Sequence, residues 1–104
     1  MNIAKIMKQA QRMQDDLKKI QEELAKRTYE GVAGGGAVKA ICTGDSDLKS
    51  VKISSEVFKD GDAEMLQDLV LTAVREAMAK AKQDAQDKMS NLTAGMELPG
   101  GLGF

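Results

Sequence analysis

The side chains best equipped for chemistry are few in this sequence and poorly spaced for catalysis. Acids stand side by side at Asp15-Asp16 and Glu22-Glu23, the residue type that general acid and base work requires. On a helix, however, sequence neighbours point in different directions, and these acids alternate with Lys18, Lys19 and Lys26 as a solvated face does. The chain has no histidine, so the commonest proton shuttle and the commonest metal ligand are both missing. Cys42 is the single cysteine. With no partner for an internal disulfide and no neighbour at metal-ligand spacing, it reads as a small strand residue in a reducing compartment. Gly34-Gly35-Gly36 suggests a phosphate-cradling loop by composition alone, because such loops open a helix and here a strand is expected to follow. No catalytic residue, metal, cofactor or small-molecule substrate is expected from this set.

What remains is charge. The total is uninformative, a net −1 from 15 basic and 16 acidic residues, but the distribution is not. The first fourteen residues hold Lys5, Lys8 and Arg12 and no acid. Toward the end of the last helical stretch stand Lys80, Lys82 and Lys88, opposed by Asp84 and Asp87. Acids concentrate elsewhere, at Glu56, Asp60, Asp62, Glu64 and Asp68, and at Asp45 and Asp47. If the two ends of the chain come together, the result is a basic tip on an otherwise neutral protein, a modest signal for a polyanion partner.

The elements that must position these charges follow from periodicity. Ile3, Ile6, Ala10, Met13, Leu17, Ile20 and Leu24 recur at steps of three and four, one stripe on a helix ending near Arg27 or Thr28. From Tyr29 to Ser54 the chain is richer in Gly, Val, Thr and Ile, with turn signals at Gly34-Gly35-Gly36 and Gly44-Asp45-Ser46-Asp47. The spacing predicts a three-stranded antiparallel meander with strands at about 28–33, 37–43 and 48–54. A second long helix is predicted over 63–89, on Leu66, Leu69, Val70, Ala73, Val74, Ala77, Met78, Ala81, Ala85 and Met89, with Asp62 as its N-cap. Residues 1–89 thus form one α-β-β-β-α domain of the α+β class. Residues 90–104, which include Gly95, Pro99, Gly100, Gly101 and Gly103, read as a flexible tail. No apolar run is long enough for a membrane span and none forms the core of a secretory signal, so the expected address is the cytoplasm.

A helix of about 27 residues runs roughly 40 Å, whereas a seven-residue strand covers only about 23 Å. The helices must therefore overhang the sheet. Antiparallel packing would set Ile3, Ile6, Ala10 and Met13 against Met78, Ala81, Ala85 and Met89 as a thin arm, with the basic residues at its tip. The core is small for this length, with only three aromatics, Tyr29, Phe58 and Phe104. In the middle strand Val38, Ala40 and Cys42 share one face while Ile41 sits on the other, so neither face is plainly polar. A homodimer joined through the meander is expected, with Val38, Ala40, Ile41, Cys42, Val51 and Ile53 at the interface.

Two segments carry a family resemblance, Met7-Lys8-Gln9-Ala10-Gln11-Arg12-Met13 and, more specifically, Gly31-Val32-Ala33-Gly34-Gly35-Gly36-Ala37-Val38-Lys39. Val51-Lys52-Ile53, Met65-Leu66-Gln67-Asp68-Leu69-Val70 and Met89-Ser90-Asn91-Leu92-Thr93-Ala94-Gly95-Met96 continue it over nearly the whole chain. In these the sequence resembles the YbaB/EbfC family of nucleoid-associated proteins. The resemblance implies a tweezer-shaped homodimer whose helical arms flank double-stranded DNA, bound with weak or variable sequence preference and with an influence on gene expression. The residues expected to touch phosphate are Lys5, Lys8, Arg12, Lys80, Lys82 and Lys88. The rival reading is a dimeric scaffold that engages replication, recombination or nucleoid proteins, with DNA contact incidental.

Overall fold

The computed structural model describes residues 2–59 and 61–95. The elements run α1 (Ile3–Lys26), β1 (Thr28–Ala33), a 3-10 turn (Gly34–Gly36), β2 (Val38–Thr43), β3 (Leu48–Ile53), α2 (Ser55–Lys59) and α3 (Ala63–Gly95). This is the predicted α+β order, a long helix, an antiparallel meander in the order β1-β2-β3, then a second long helix.

Each boundary has a local cause. Asn2 caps α1 by accepting the Lys5 amide at 3.2 Å, and Asp62 caps α3 by accepting the Met65 amide at 3.0 Å. The β1–β2 connection puts Gly34, Gly35 and Gly36 in succession at φ of 62°, 67° and 98°, a left-handed run that side chains resist. α2 went unpredicted because five residues are too few to display a helical period. Val57 buries its side chain there. α3 continues past Met89, through residues 90–95 that the sequence reading gave to the tail. No Gly or Pro interrupts it before Gly95, and Leu92 is half-buried. The rest of the predicted tail, from residue 96, lies outside the described residues.

Strand alternation divides the sheet into two faces. Toward α3 point Gly31 and Ala33 of β1, Val38, Ala40 and Cys42 of β2, and Val51 and Ile53 of β3. α3 answers with Ala73, Ala77 and Ala81, spaced one turn apart and fully buried. A Cβ at Gly31 would stand 2.0 Å from the Ala73 carbonyl oxygen, so helix and strand meet backbone to backbone. The core is accordingly thin, and its largest fully buried side chains are Val38 and Cys42. This corrects the expected interface. Val38, Ala40 and Cys42 are covered by the chain's own α3 and present nothing to a second subunit, while Ile41 lies half-buried on the opposite face and Val51 and Ile53 are only partly covered.

The molecule extends 70 × 25 × 16 Å with a radius of gyration of 19.9 Å, against about 13 Å for a compact domain of this length. The elongation comes from the helices. Arg27, just after α1, lies 3.4 Å from Asp84 of α3, which sets the level at which the two helices meet. Beyond Asp84, α3 continues for about 17 Å, whereas α1 extends back from Arg27 for roughly 36 Å. The predicted pairing is therefore displaced. Ala81 is buried against the sheet, and half-buried apolar side chains in the overlapping stretch include Leu17 and Ile20 on α1 and Ala85 and Leu92 on α3, with Met13 half-buried just beyond it. Ile3 and Ile6 remain 66% and 52% exposed.

A polar knot ties this junction. Asp84 accepts the Tyr29 hydroxyl and the Lys88 ammonium at 3.2 Å, with Arg27 alongside. Burial, then the hydrogen bond to Asp84 and its charge, push the Tyr29 phenol up from 10.0 to about 12. The Tyr29 hydrogen bond, seconded by Lys88 and Arg27, holds the Asp84 carboxyl below its usual range. At the sheet end of α1, the Gly44 amide donates to the Leu24 carbonyl at 2.8 Å, and a Cβ at Gly44 would lie 2.6 Å from that oxygen.

Two outcomes follow from these contacts. Gly31→Ala forces backbone from backbone and should cost about 3 kcal/mol, lowering Tm by more than about 10 °C in a thermal melt. Tyr29 is the only tyrosine and there is no tryptophan, so the ultraviolet absorbance of its phenolate reports the knot directly. Because its folded pKa exceeds the unfolded one, its contribution to stability is intact below pH 10.0 and disappears as pH rises to about 12. The titration midpoint should sit near the upper value and move back toward the lower in Asp84→Asn.

Candidate nucleic-acid interface

The first half of α1 carries Lys5, Lys8 and Arg12 at steps of three and four, which places them on one helical face. Over about 10 Å of helix the row matches roughly three phosphates of one strand, at about 3.4 Å of duplex axis each. All three are exposed. Among the described residues none of them has a carboxylate partner within salt-bridge distance; the ion pairs are Arg27–Asp84, Lys49–Asp47, Lys80–Glu76 and Lys88–Asp84. The first turn of α1 holds no acid, so the positive end of the helix dipole adds to the field of these side chains.

The other three expected contacts are placed differently. Lys80 donates to the Glu30 carbonyl of β1 at 2.9 Å and pairs with Glu76 at 3.3 Å. That puts it beside the sheet, about 30 Å along the molecule from Lys8. Lys88 lies in the knot, its side chain mostly covered and held by Asp84. Lys82 is exposed on α3, with no ion pair among the described residues. The structure thus keeps Lys5, Lys8 and Arg12 together and separates them from Lys80 and Lys88. Helical spacing could not reveal this, because it says which residues share a face and nothing about how far one helix slides along another.

Two surfaces escaped the sequence reading. An apolar groove of 480 Å³ runs between β3 and the flank of α3, lined by Ile53, Leu66, Gln67, Val70, Leu71 and Val74. Leu71 is 47% exposed there. Its signal was present in Val70-Leu71, since adjacent apolar residues widen the helix stripe beyond what one sheet contact covers. On the face of the sheet turned from α3, Glu30 and Val32 of β1, Lys39 and Ile41 of β2, and Ser50 and Lys52 of β3 point outward. Among the described residues no helix is long and apolar enough to cross a membrane.

The sequence and the fold were compared with known proteins. The model of the YbaB/EbfC DNA-binding family matches residues 1–96. A nucleoid-associated protein of Pelotomaculum thermopropionicum is 46% identical over 99 residues, covering 95% of this chain and 94% of the relative. One from Dictyoglomus turgidum is 44% identical over 96 residues and covers 92% of each chain. The crystal structure of the uncharacterized protein HP0035 from Helicobacter pylori superposes with a TM-score of 0.80, covering 89% of this chain and 98% of that one. At 16% identity that likeness speaks for the fold alone. A family match across nearly the whole sequence, with relatives of this identity, settles membership: the chain belongs to the YbaB/EbfC DNA-binding family.

Proposed function

We propose that this protein is a nucleoid-associated protein that binds double-stranded DNA through the projecting first half of α1, with weak or variable sequence preference and an influence on gene expression. The observation that carries the reading is the row Lys5, Lys8 and Arg12, exposed and without a carboxylate partner among the described residues, on a helix that stands clear of the body. The nucleoid-associated relatives support the choice of partner. Such contacts position a protein on phosphate and carry no sequence information themselves. Lys82 is a secondary contact, while Lys80 and Lys88 act mainly within the fold.

The protein works as a homodimer joined along the groove between β3 and α3, whose apolar wall of Ile53, Leu66, Val70, Leu71 and Val74 adjoins the free edge of β3. Two arms then supply six cations. For six phosphate contacts, log K falls against log salt with a slope near about −5, a loss of roughly a thousandfold between about 50 and 200 mM.

Gel shifts across a salt series test the arm. Lys5→Glu, Lys8→Glu and Arg12→Glu together should abolish the shifted band while helicity and particle mass stay unchanged. Unaltered affinity in that variant would sink the arm assignment, and weak, salt-insensitive binding by the unchanged protein would favour the scaffold reading. Leu71→Asp tests the dimer, by converting it to a monomer in sedimentation equilibrium and weakening DNA binding about a hundredfold through loss of bivalency.

A further inference from the structure

We infer that the open face of the sheet is a second phosphate-binding surface, formed by the cross-strand pair Lys39 and Lys52. The inference rests on the DNA-binding reading above and names a contact outside the arms. In the β2–β3 register Lys39 stands directly opposite Lys52. The residues on either side, Val38 and Ala40 on one strand and Val51 and Ile53 on the other, pack toward α3, so alternation turns both lysines to the outer face. Both are exposed.

Directly opposed residues on one sheet face have Cβ atoms about 5 Å apart, and like charges in that position destabilise the sheet. Among the described residues neither lysine belongs to an ion pair. The acid on this face, Glu30, is registered opposite Ile41 and is therefore diagonal to Lys39. A guard against edge-to-edge pairing explains lysine on an edge strand such as β3, but Lys39 lies on the central strand, where no edge needs guarding. Two ammonium groups on flexible stems rooted about 5 Å apart, each with three donors, can bracket a single phosphate. The flanking residues, half-buried Val32 on β1, Ile41 on β2 and Ser50 on β3, are low enough to let a backbone approach. The partner is the sugar-phosphate backbone of duplex DNA, chosen because the pair is cationic and repeats once per subunit.

The double variant Lys39→Gln with Lys52→Gln tests this in the full chain, beside a charge-matched control, Lys49→Gln with Lys59→Gln. If each pair neutralises one phosphate, the test variant should lower the salt slope by about two per dimer, while the control leaves it unchanged. Its thermal midpoint should rise by a few degrees as the cross-strand repulsion is relieved. Lys39→Arg with Lys52→Arg should retain the slope, which separates a charge contact from a packing effect. A rise in thermal midpoint with a slope equal to the control's overturns the inference and leaves the lysines as a solvated face. That result, obtained while the arm variant still abolishes binding, leaves the arm reading standing. Absence of DNA binding by the unchanged protein overturns both.

Discussion

The close approach of α3 to β1 is the constraint on which the rest of the structure depends. At Gly31 there is no room for a Cβ, and across from it stand three alanines spaced one turn apart. A helix seated this near the sheet centres on β1 and β2, and the groove beside β3 stays open. It also buries few methylenes, at about 0.8 kcal/mol each, so the subunit gains little from its own core. The remaining apolar surface, Val70, Leu71 and Val74 with Ile53, stays open along that groove.

The same seating fixes the arm. Because Ala73, Ala77 and Ala81 are committed to the sheet, only the part of α3 beyond Asp84 is free to accompany α1, and α1 is longer than that part. The knot of Tyr29, Asp84, Lys88 and Arg27 stands where sheet, α1 and α3 meet. A carboxylate at that point satisfies a part-buried hydroxyl and two cations together, and it fixes the level of one helix against the other, which alanine packing leaves free to slide.

Charge is divided accordingly between holding the fold and facing solvent. Lys80, Lys88 and Arg27 are engaged with carboxylates or a strand carbonyl at the sheet and the junction. Lys5, Lys8 and Arg12 on the arm, like Lys39 and Lys52 on the sheet, have no such partner among the described residues. A cation beside a carboxylate has part of its charge compensated, so it offers less to a phosphate than an unpaired one. That explains how a chain with net charge −1 presents cationic surfaces.

Much of this was legible in the residues themselves. Helix and strand assignments came from side-chain period, a local property, and the overhang followed from rise per residue. The Asp62 cap and both turns were visible for the same reason, being set by neighbours within a few residues. The basic start of α1 could also be read directly, since no acid occurs in the first fourteen residues of the chain. What the sequence could not settle was which apolar surface meets which. Val38, Ala40 and Cys42 look alike as core or as interface until α3 is seen lying over them. The opposition of Lys39 and Lys52 depends on strand register, and the engagement of Lys80 and Lys88 on how far α3 is displaced along β1 and α1. Both are contacts between residues distant in the chain, decided by the fit of Gly31 to the alanine stripe and the knot at Asp84, and local periodicity carries no record of either.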